Sequence, residues 1–280
     1  MTLKTNAPGL YLAPSPIGHL EDLSLRLISV LKAADLVAAE DTRRAIKLLN
    51  HLSLKKPLIS YREQNHAKAW PKIKAVLAEN GLVALLSDAG APTIADPGVK
   101  LVTAARAAGY PVWPLPGPSA VVTALMAAGF WAERFVFGGF LPEKSKERRS
   151  LALKLDSLGL CLVFFETPHR LQASLEDLAA VFGDRPAFLA REMTKAHEEY
   201  LKGSLGELLQ EITANPRKGE ITLVIGPKAK VAPVEPNWAQ IAERVKGDTR
   251  PLGVMASELA LELNWPKKDI YGYLAKLKET

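Results

Sequence analysis

Short apolar segments alternate with amphipathic segments over roughly the first 130 residues of the chain. The apolar segments predict β-strands at Gly9–Ala13, Asp35–Ala39, Pro57–Tyr61, Leu82–Asp88 and Val112–Leu115. The segments between and after them have helical periodicity, at Leu23–Lys32, Arg43–Leu52, Ala67–Asn80, Val99–Ala108 and Ala120–Ala128. Because strands and helices alternate, the pattern predicts a mostly parallel sheet with helices on both faces.

The next part of the chain has a different pattern, in which strands often follow one another without a long helix between them. Strands are predicted at Phe135–Leu141, Leu160–Glu166, Ala187–Glu192, Glu198–Lys202 and Ile221–Gly226. Thr167-Pro168 is typical of a helix start and predicts a helix that ends near Phe182. Ser204 and Glu207 have the spacing of a capping box. This half is therefore expected to contain a mixed sheet.

The C-terminal part is predicted to be a small helical module. Val231–Asn237 has several prolines and is interpreted as a linker. Leu252–Leu263 and Lys267–Lys278 follow as two short helices with a break at Asn264-Trp265-Pro266. The lysines of the second helix either contact nucleic acid or lie on a surface that packs elsewhere. The predicted domains are residues 1–118, 119–230 and 231–280.

Composition places this chain among globular proteins of the cell interior. Of its 280 residues, 48% are hydrophobic and 24% charged, and the net charge is +6, which suits a polyanionic partner without requiring one. No apolar run approaches the ~20 residues that span a bilayer, and the N-terminus lacks a signal sequence, so we expect no membrane association and a cytoplasmic location. The single cysteine, Cys161, lies in an apolar run and is expected to be buried and inert. The five histidines are scattered, so no metal site is predicted.

The segment Val83–Gly98 is the most informative part of the sequence. An apolar strand buried on both faces ends there at Asp88, and a loop rich in glycine and proline follows. Three other loops follow predicted strands of the same sheet. In a parallel sheet, these loops lie together at the carboxyl ends of the strands, where open α/β sheets bind ligands. The four loops are Pro14–Asp22, Glu40–Arg44, Asp88–Thr93 and Pro116–Ala120.

The residue types in these loops restrict the ligand. Neither G-x-G-x-x-G nor G-x-x-x-x-G-K-[ST] occurs in them, which argues against a dinucleotide or nucleoside triphosphate site. Asp22, Asp41, Asp88 and Asp96 make the edge unsuitable for several phosphates. A cationic ligand that carries adenosine, such as S-adenosylmethionine, suits it better.

Several sequence motifs resemble one known family. PSPIGHLEDLSLR, AEDTRRAIKLLNH, LLSDAGAPTIADPG and PLPGPSAVVTAL resemble the bacterial 16S rRNA (cytidine-2′-O)-methyltransferases, which are class III methyltransferases similar to tetrapyrrole methylases. The resemblance continues through GFLP, FFETPHRL, AREMTKAHEEYLKG and GEITLVIG and covers about residues 8–228. His19, Ala91 and Thr167 depart from the family pattern, where asparagine, threonine and serine are common.

The resemblance implies an α/β enzyme with two αβα domains of the tetrapyrrole-methylase type and a small C-terminal helical module. It implies a homodimer that transfers a methyl group from S-adenosyl-L-methionine to the ribose 2′-oxygen of a cytidine in 16S rRNA, presented as free RNA or in the 30S subunit. The cofactor is then expected in the cleft between the domains. By position, its site would include Pro14, Gly18, Asp88, Ala89, Gly90, Thr93, Pro116, Gly117, Ser119, Ala120, Glu166 and Thr222.

The sequence determines the catalytic base and the RNA contacts less well than it determines the cofactor site. The ribose hydroxyl must lose a proton as it is methylated, and the candidates for the base are Glu166, His169, Glu192 and Asp41, among which the sequence does not choose. Asp41 is equally well explained as a helix cap. The candidate RNA-binding residues, each also explicable as a solvated cation, are Arg43, Arg44, Lys144, Lys146, Arg148, Arg149 and Arg170.

Two other functions remain open from the sequence alone. One is a methyltransferase of the same fold that acts on a tetrapyrrole or another small molecule, against which the basic loops and the C-terminal module argue. The other is a non-catalytic RNA-binding or ribosome-assembly factor, against which the intact set of polar loops argues.

Overall fold

The computed structural model describes residues 6–228, 236–263 and 265–279. The chain divides into two compact units, Met1–Lys228 and Ala229–Thr280. The first unit contains both sheets. The predicted boundary between residues 118 and 119 lies inside it and stays a prediction.

The first sheet is parallel, as the alternating pattern predicts, and has the strand order β3-β2-β4-β1-β5. Its strands are β1 (Gly9–Ala13), β2 (Leu36–Ala39), β3 (Leu58–Ser60), β4 (Leu82–Leu86) and β5 (Val112–Pro114). The helices of this part are α1 (Leu25–Ala33), α2 (Thr42–His51), α3 (His66–Ala78), α4 (Val99–Ala107) and α5 (Ala120–Ala128). Each of these elements was predicted, with ends that differ by a few residues at most.

The central strand β4 shows why this sheet is covered on both faces. Its side chains alternate between two cores, with Ala84 and Leu86 in one and Val83 and Leu85 in the other. Leu27 and Leu31 of α1 belong to the first core, and Ile73 of α3 to the second. A continuous apolar run is therefore required here, because both faces of the strand are buried.

The second sheet is mixed, with the order β6-β7-β10-β8-β9, in which only the β6–β7 pair is parallel. Its strands are β6 (Phe135–Phe140), β7 (Cys161–Glu166), β8 (Pro186–Arg191), β9 (Glu199–Ser204) and β10 (Ile221–Ile225). The helices are α6 (Ser145–Asp156), α7 (Pro168–Phe182) and α8 (Leu205–Ala214). The capping box at Ser204 is confirmed at the start of α8. Cys161 is fully buried, and burial raises the pKa of its thiol to about 11, as expected of an inert cysteine.

One predicted RNA contact, Arg148, lies inside the protein because of the way α6 packs on α7. Arg148 lies on the inner side of α6, where its side chain is only 5% exposed and Nη2 is 2.7 Å from Oδ2 of Asp177. Its Nε also donates to Asp177, and Nη1 donates to the carbonyl oxygens of Pro142 and Glu143. Every nitrogen of this guanidinium has a partner within the protein, so Arg148 ties the two helices together, and its contact with RNA stays a prediction.

The C-terminal unit is a group of three helices with its own small core. They are α9 (Trp238–Val245), α10 (Leu252–Leu263) and α11 (Lys267–Glu279). The last two were predicted, but α9 was missed because the proline-rich segment before it was interpreted as a linker and nothing was assigned after it. Residues 231–235 of that linker, and Asn264 of the predicted break, lie outside the described residues. The core is formed by Ile241, Met255, Ala256, Leu259, Ile270 and Leu274.

Within the ranges that the structure describes, no helix is long and apolar enough to cross a membrane.

Candidate active site

A cavity of about 370 Å³ lies where loops of the first sheet meet strands of the second, within the first unit. This volume is within the range of small-molecule sites. Three loops after the strands β1, β2 and β4, the start of α5, and residues around β7 and β10 form its wall. The lining residues are Ile17, Glu40, Arg44, Asp88–Ala91, Ile94–Asp96, Ser119–Val121, Phe140, Phe165–Pro168 and Gly219–Thr222.

The loops after β1 and β4 are joined by a short antiparallel bridge. The amide of Ser15 donates to the carbonyl oxygen of Gly90, and the amide of Gly90 donates back to Ser15, both at 2.9 Å. The loop after β5 approaches from the other side, and a Cβ atom on Gly117 would lie 2.8 Å from Cβ of Pro14. Only glycine permits this approach. The predicted convergence of these loops is therefore confirmed.

The same loops also contact the second sheet. The amide of His19 donates to Oγ1 of Thr194, which follows β8, at 3.0 Å. A second cavity of about 320 Å³ lies beside this contact and shares Ile17, Arg44, Asp88, Ala89 and Glu220 with the larger one. Gly18 lines this second cavity.

Of the five carboxylates that line the larger cavity, three have little positive charge near them. Asp88 accepts a hydrogen bond from the amide of Asp41 at 2.9 Å, and Nε of Arg44 is 3.9 Å from its other oxygen. Glu40 and Asp96 lie on the same wall. Burial, and then the charges of Glu40 and Asp88, raise the pKa of Asp96 to about 7. The cavity therefore has a negative potential that favours a cation.

Large apolar side chains form the remainder of the lining. Ile17, Ile94, Val121, Phe140 and Phe165 all contribute to it. A cavity that combines apolar side chains with a few polar groups at fixed positions is typical of binding sites for small organic molecules.

The family assignment follows from a comparison with known proteins. The family model of the Tetrapyrrole (Corrin/Porphyrin) Methylases matches residues 9–209, which is most of the chain. This chain belongs to the tetrapyrrole methylase family. It is an S-adenosylmethionine-dependent methyltransferase.

Curated relatives of this methylase are similar over most of its length. A protein of Halalkalibacterium halodurans named ribosomal RNA small subunit methyltransferase I is 41% identical over 269 residues, which cover 94% of this chain and 93% of the relative. A protein of Thermotoga maritima with the same name is 43% identical and covers 78% of this chain and 98% of its own length.

Solved structures confirm the predicted fold class. The methyltransferase CobJ matches 81% of this methylase with a TM-score of 0.61 at 17% identity, and 98% of its own chain is covered. Uroporphyrin-III C-methyltransferase from Thermus thermophilus, solved in complex with S-adenosylhomocysteine, matches 77% of the methylase and 96% of its own chain, with a TM-score of 0.55 at 19% identity.

The residues expected to bind the cofactor divide into two groups. Asp88, Ala89, Gly90, Ser119, Ala120, Glu166 and Thr222 line the larger cavity. Gly18 lines only the second cavity, and in the described chain Pro14, Thr93, Pro116 and Gly117 line neither. Pro14 and Gly117 pack against each other and position the loops instead.

The geometry favours none of the four candidate bases. The side chain of Glu166 is fully buried, and its oxygens accept hydrogen bonds from the amide of Thr167, from Arg170 and from Ser174. Its carboxylate oxygens are therefore occupied by partners inside the protein, and its role as the base stays a prediction. The other three candidates do not line the larger cavity as the described residues form it.

Each of these three has another position or partner. His169 is exposed on the first turn of α7. Glu192 forms an ion pair with Lys195 at 2.9 Å. Burial acts to raise the pKa of Glu192, but hydrogen bonds from the amide of Glu220 and from Lys195 outweigh burial, so the pKa is lowered. Asp41 caps α2, and its hydrogen bonds with Arg43 hold its pKa well below the usual range. The cap alternative for Asp41 is thus confirmed.

The predicted RNA contacts include both buried and exposed cations. Arg170 is mostly buried and donates to Glu166, Thr167 and Leu141, so it positions Glu166, and its contact with RNA stays a prediction. The remaining five cations stay candidates because their side chains are exposed. They are Arg43, Arg44, Lys144, Lys146 and Arg149.

Sequence reasoning missed two acidic residues of the cavity. Glu40 was placed in a loop without a role, and Asp96 was counted only as one of several acids. The available signal was that Glu40 directly follows a buried strand, as Asp88 does, and that Asp96 precedes Pro97 in the same glycine- and proline-rich loop. In the described residues, no group of three or more His, Cys, Asp or Glu side chains is arranged to hold a metal ion.

Proposed function

We propose that this methylase transfers a methyl group to the ribose 2′-oxygen of a cytidine in 16S rRNA of the small ribosomal subunit. The observation that carries the proposal is the 41% identity, over 94% of the chain, to a relative named ribosomal RNA small subunit methyltransferase I. A cytoplasmic location would follow from an rRNA substrate.

The larger cavity has the chemistry that S-adenosylmethionine requires. The ligand has positively charged sulfonium and ammonium groups, and Glu40, Asp88 and Asp96 supply negative charge with only Arg44 nearby. Apolar side chains such as Ile17 and Phe165 supply surface for the adenine ring. When bound, the cofactor supplies an activated methyl group; the protein has to hold it, exclude water and accept the proton of the ribose hydroxyl.

The donor site predicts the effect of removing Asp88. Asp88→Ala should weaken binding of S-adenosylmethionine about tenfold or more, because a charge-assisted contact to a cation is typically worth at least ~1.4 kcal/mol in a partly buried site. Calorimetric titration of the purified protein measures this. Asp184→Ala, the same change at an exposed position outside the cavities, should leave the affinity unchanged. Unchanged affinity in the Asp88 variant would remove this residue from the site.

The start of α6 supplies the clearest group of exposed cations for RNA. Lys144→Ala, Lys146→Ala and Arg149→Ala together should weaken RNA binding and lower the slope of log K against log salt by about 1 per lost phosphate contact. Donor affinity should stay the same. Filter binding at several salt concentrations checks this, and a variant with the wild-type slope would show that these residues do not contact RNA.

We propose a homodimer on the basis of an apolar surface at α5 and β6. Met126 and Trp131 are 78% and 79% exposed, and Val122 lies one helical turn before Met126. The sequence then enters β6, an edge strand of its sheet. Exposed apolar side chains at such a density are typical of protein interfaces. The double variant Met126→Asp, Trp131→Asp should sediment as a monomer, whereas the wild type should sediment as a dimer. If the variant stays dimeric, this surface is not the dimer interface. If the wild type is itself monomeric, the proposed homodimer is wrong.

The decisive test of the function is transfer of a radiolabelled methyl group. The wild-type protein is incubated with naked 16S rRNA, with assembled 30S subunits and with a tetrapyrrole such as uroporphyrinogen III. Label in the ribose of a cytidine of either RNA substrate supports the proposal. Label in the tetrapyrrole alone would identify a small-molecule methylase, and donor binding without transfer to any acceptor would support a non-catalytic factor.

A further inference from the structure

Asp96 and Glu40 differ from the other carboxylates that line the larger cavity, because in the described part of the chain neither side chain has a hydrogen-bond or ion-pair partner. Both residues are partly buried. Asp88 accepts from the Asp41 amide, Glu166 is saturated by Arg170 and Ser174, and Glu220 pairs with Lys195. A partly buried carboxylate that has no donor within the protein and stays accessible from the cavity can accept a hydrogen bond or a proton from a ligand, and such groups are concentrated at functional sites.

The loop that carries Asp96 is held in an unusual conformation. Thr93 and Ala95 have φ angles of 72° and 60°, which are unfavourable for residues other than glycine. Behind Asp96, the amide of Gly98 donates to Oε1 of Glu63 at 2.7 Å. Gly98 has a φ of 137°, and a Cβ atom there would lie 2.7 Å from Cδ2 of Leu85. The surroundings therefore hold Asp96 in the wall of the cavity at a cost in backbone strain.

The electrostatics of Asp96 suit proton transfer near neutral pH. Burial raises its pKa to about 7, with further contributions from the negative charges of Glu40 and Asp88. The lining also contains Arg44, whose Nε is 3.9 Å from Asp88, and two acids that are paired with cations, Glu166 with Arg170 and Glu220 with Lys195. A base is most effective when its pKa lies near the working pH, because both of its protonation states are then accessible.

We propose that Asp96 is the catalytic base of this methylase and takes the proton of the acceptor hydroxyl from its position in the wall of the larger cavity. The assignment rests on the proposed function. As the ribose oxygen forms its bond to the methyl carbon, the bond between that carbon and sulfur breaks and its electron pair stays on sulfur. The hydroxyl proton moves to a carboxylate oxygen of Asp96 and is released to solvent after the products leave.

This arrangement also couples donor binding to the charge of the base. A cation in the cavity favours the ionised form of Asp96, just as Glu40 and Asp88 disfavour it. S-adenosylmethionine carries a positive sulfonium, and its demethylated product carries a neutral thioether. We therefore expect donor binding to expel a proton from Asp96 and product binding to expel less, so that the base is ionised when the methyl donor is present.

Calorimetry in two buffers of different ionisation enthalpy tests this coupling without using catalysis. With a pKa of about 7, Asp96 is about half protonated at pH 7, so the wild type should release up to about half a proton per S-adenosylmethionine bound. Release should be smaller with S-adenosylhomocysteine and absent in Asp96→Asn. The matched control, Asp184→Asn, should behave as the wild type. Equal proton release in Asp96→Asn and the wild type would overturn the proposal.

Single-turnover methylation of the RNA substrate, measured from pH 6 to 9, completes the test. Asp96→Asn should lower the rate at saturating donor by about 10²–10⁴-fold, the usual contribution of a general base. Glu40→Gln, which keeps Asp96 but removes a neighbouring charge, should move the midpoint of the pH profile to lower pH. A wild-type rate in Asp96→Asn would overturn the assignment of the base alone, whereas a wild type that methylates no RNA would overturn the proposed function as well.

Discussion

Asp177→Ala should lower the free energy of unfolding by about 3–5 kcal/mol, because it leaves the buried guanidinium of Arg148 without its counter-charge. Ser145 and Arg149 also donate to this carboxylate, so α6 loses several contacts with α7 at once. Urea denaturation at pH 7, followed by circular dichroism, measures the loss. Lys144→Ala removes the exposed pair with Glu147 and should cost less than about 1 kcal/mol.

The pH dependence of stability provides a further check on Asp177. Burial acts to raise the pKa of Asp177, but hydrogen bonds from Arg149, Ser145 and Arg148 outweigh it and lower the pKa. A carboxyl group whose pKa is lower in the folded state than in the unfolded state stabilises the folded protein. This stabilisation is fully present at pH values above the unfolded pKa of ~3.9, and it is lost as the pH falls through the pKa of the folded state. The difference between the wild type and Asp177→Ala should therefore shrink below about pH 4. A difference that does not change with pH would contradict this account.

The pH dependence of stability should be opposite in sign for Asp96. Its pKa is about 7 in the folded state and ~3.9 in the unfolded chain. Between these values the folded state holds a proton that the unfolded state has lost, so stability falls as the pH rises from about 4 to 7 and then levels off. The difference between the two pKa values corresponds to a fall in the free energy of unfolding of at most about 4 kcal/mol. Because solvent reaches the cavity, we expect a fall of only ~1–2 kcal/mol.

Asp96→Asn should remove this decrease in stability with rising pH. We expect the variant to gain stability relative to the wild type between pH 5 and pH 8, by about two thirds of that ~1–2 kcal/mol, because this interval covers about two of the three pH units over which stability falls. Urea denaturation at both pH values measures the change, and Asp184→Asn, which alters an exposed carboxylate outside the cavities, should follow the wild type. Parallel pH profiles of Asp96→Asn and the wild type would show that Asp96 is ionised in the folded state throughout this range. A gain in stability together with a loss of methyl transfer is the combination expected of a strained catalytic residue.

The two sheets were predictable because their patterns depend on local burial. The run Leu82–Leu86 is apolar at every position since both faces of β4 are covered, and the alternation with helices requires parallel pairing. The order β3-β2-β4-β1-β5 places the loops after β1, β2, β4 and β5 at one edge, which was also expected. Helix α9 is short but clearly amphipathic, and it was missed because nothing was assigned after the proline-rich segment that precedes it.

The roles of individual charged residues were less predictable. Arg148 and Arg149 are adjacent in the sequence, yet one is buried against Asp177 and the other is mostly exposed, because successive helical residues point about 100° apart. Glu166 ends a buried strand and Asp88 follows another, but Glu166 pairs with Arg170 at 2.8 Å and with a buried serine, whereas Arg44 is 3.9 Å from Asp88. Such differences depend on partners that are distant in the sequence or on another side of the same helix.

The sequence by itself determined the α/β architecture, the family and the edge of the first sheet at which a cationic ligand was expected, because apolar periodicity and loop motifs are local properties. Only the tertiary structure decided which carboxylates lack a partner. The pKa of Asp96 depends on its burial and on Glu40, a residue brought beside it by folding. Solvation and charge–charge distances are set in three dimensions, so acid–base chemistry had to be read from the folded protein.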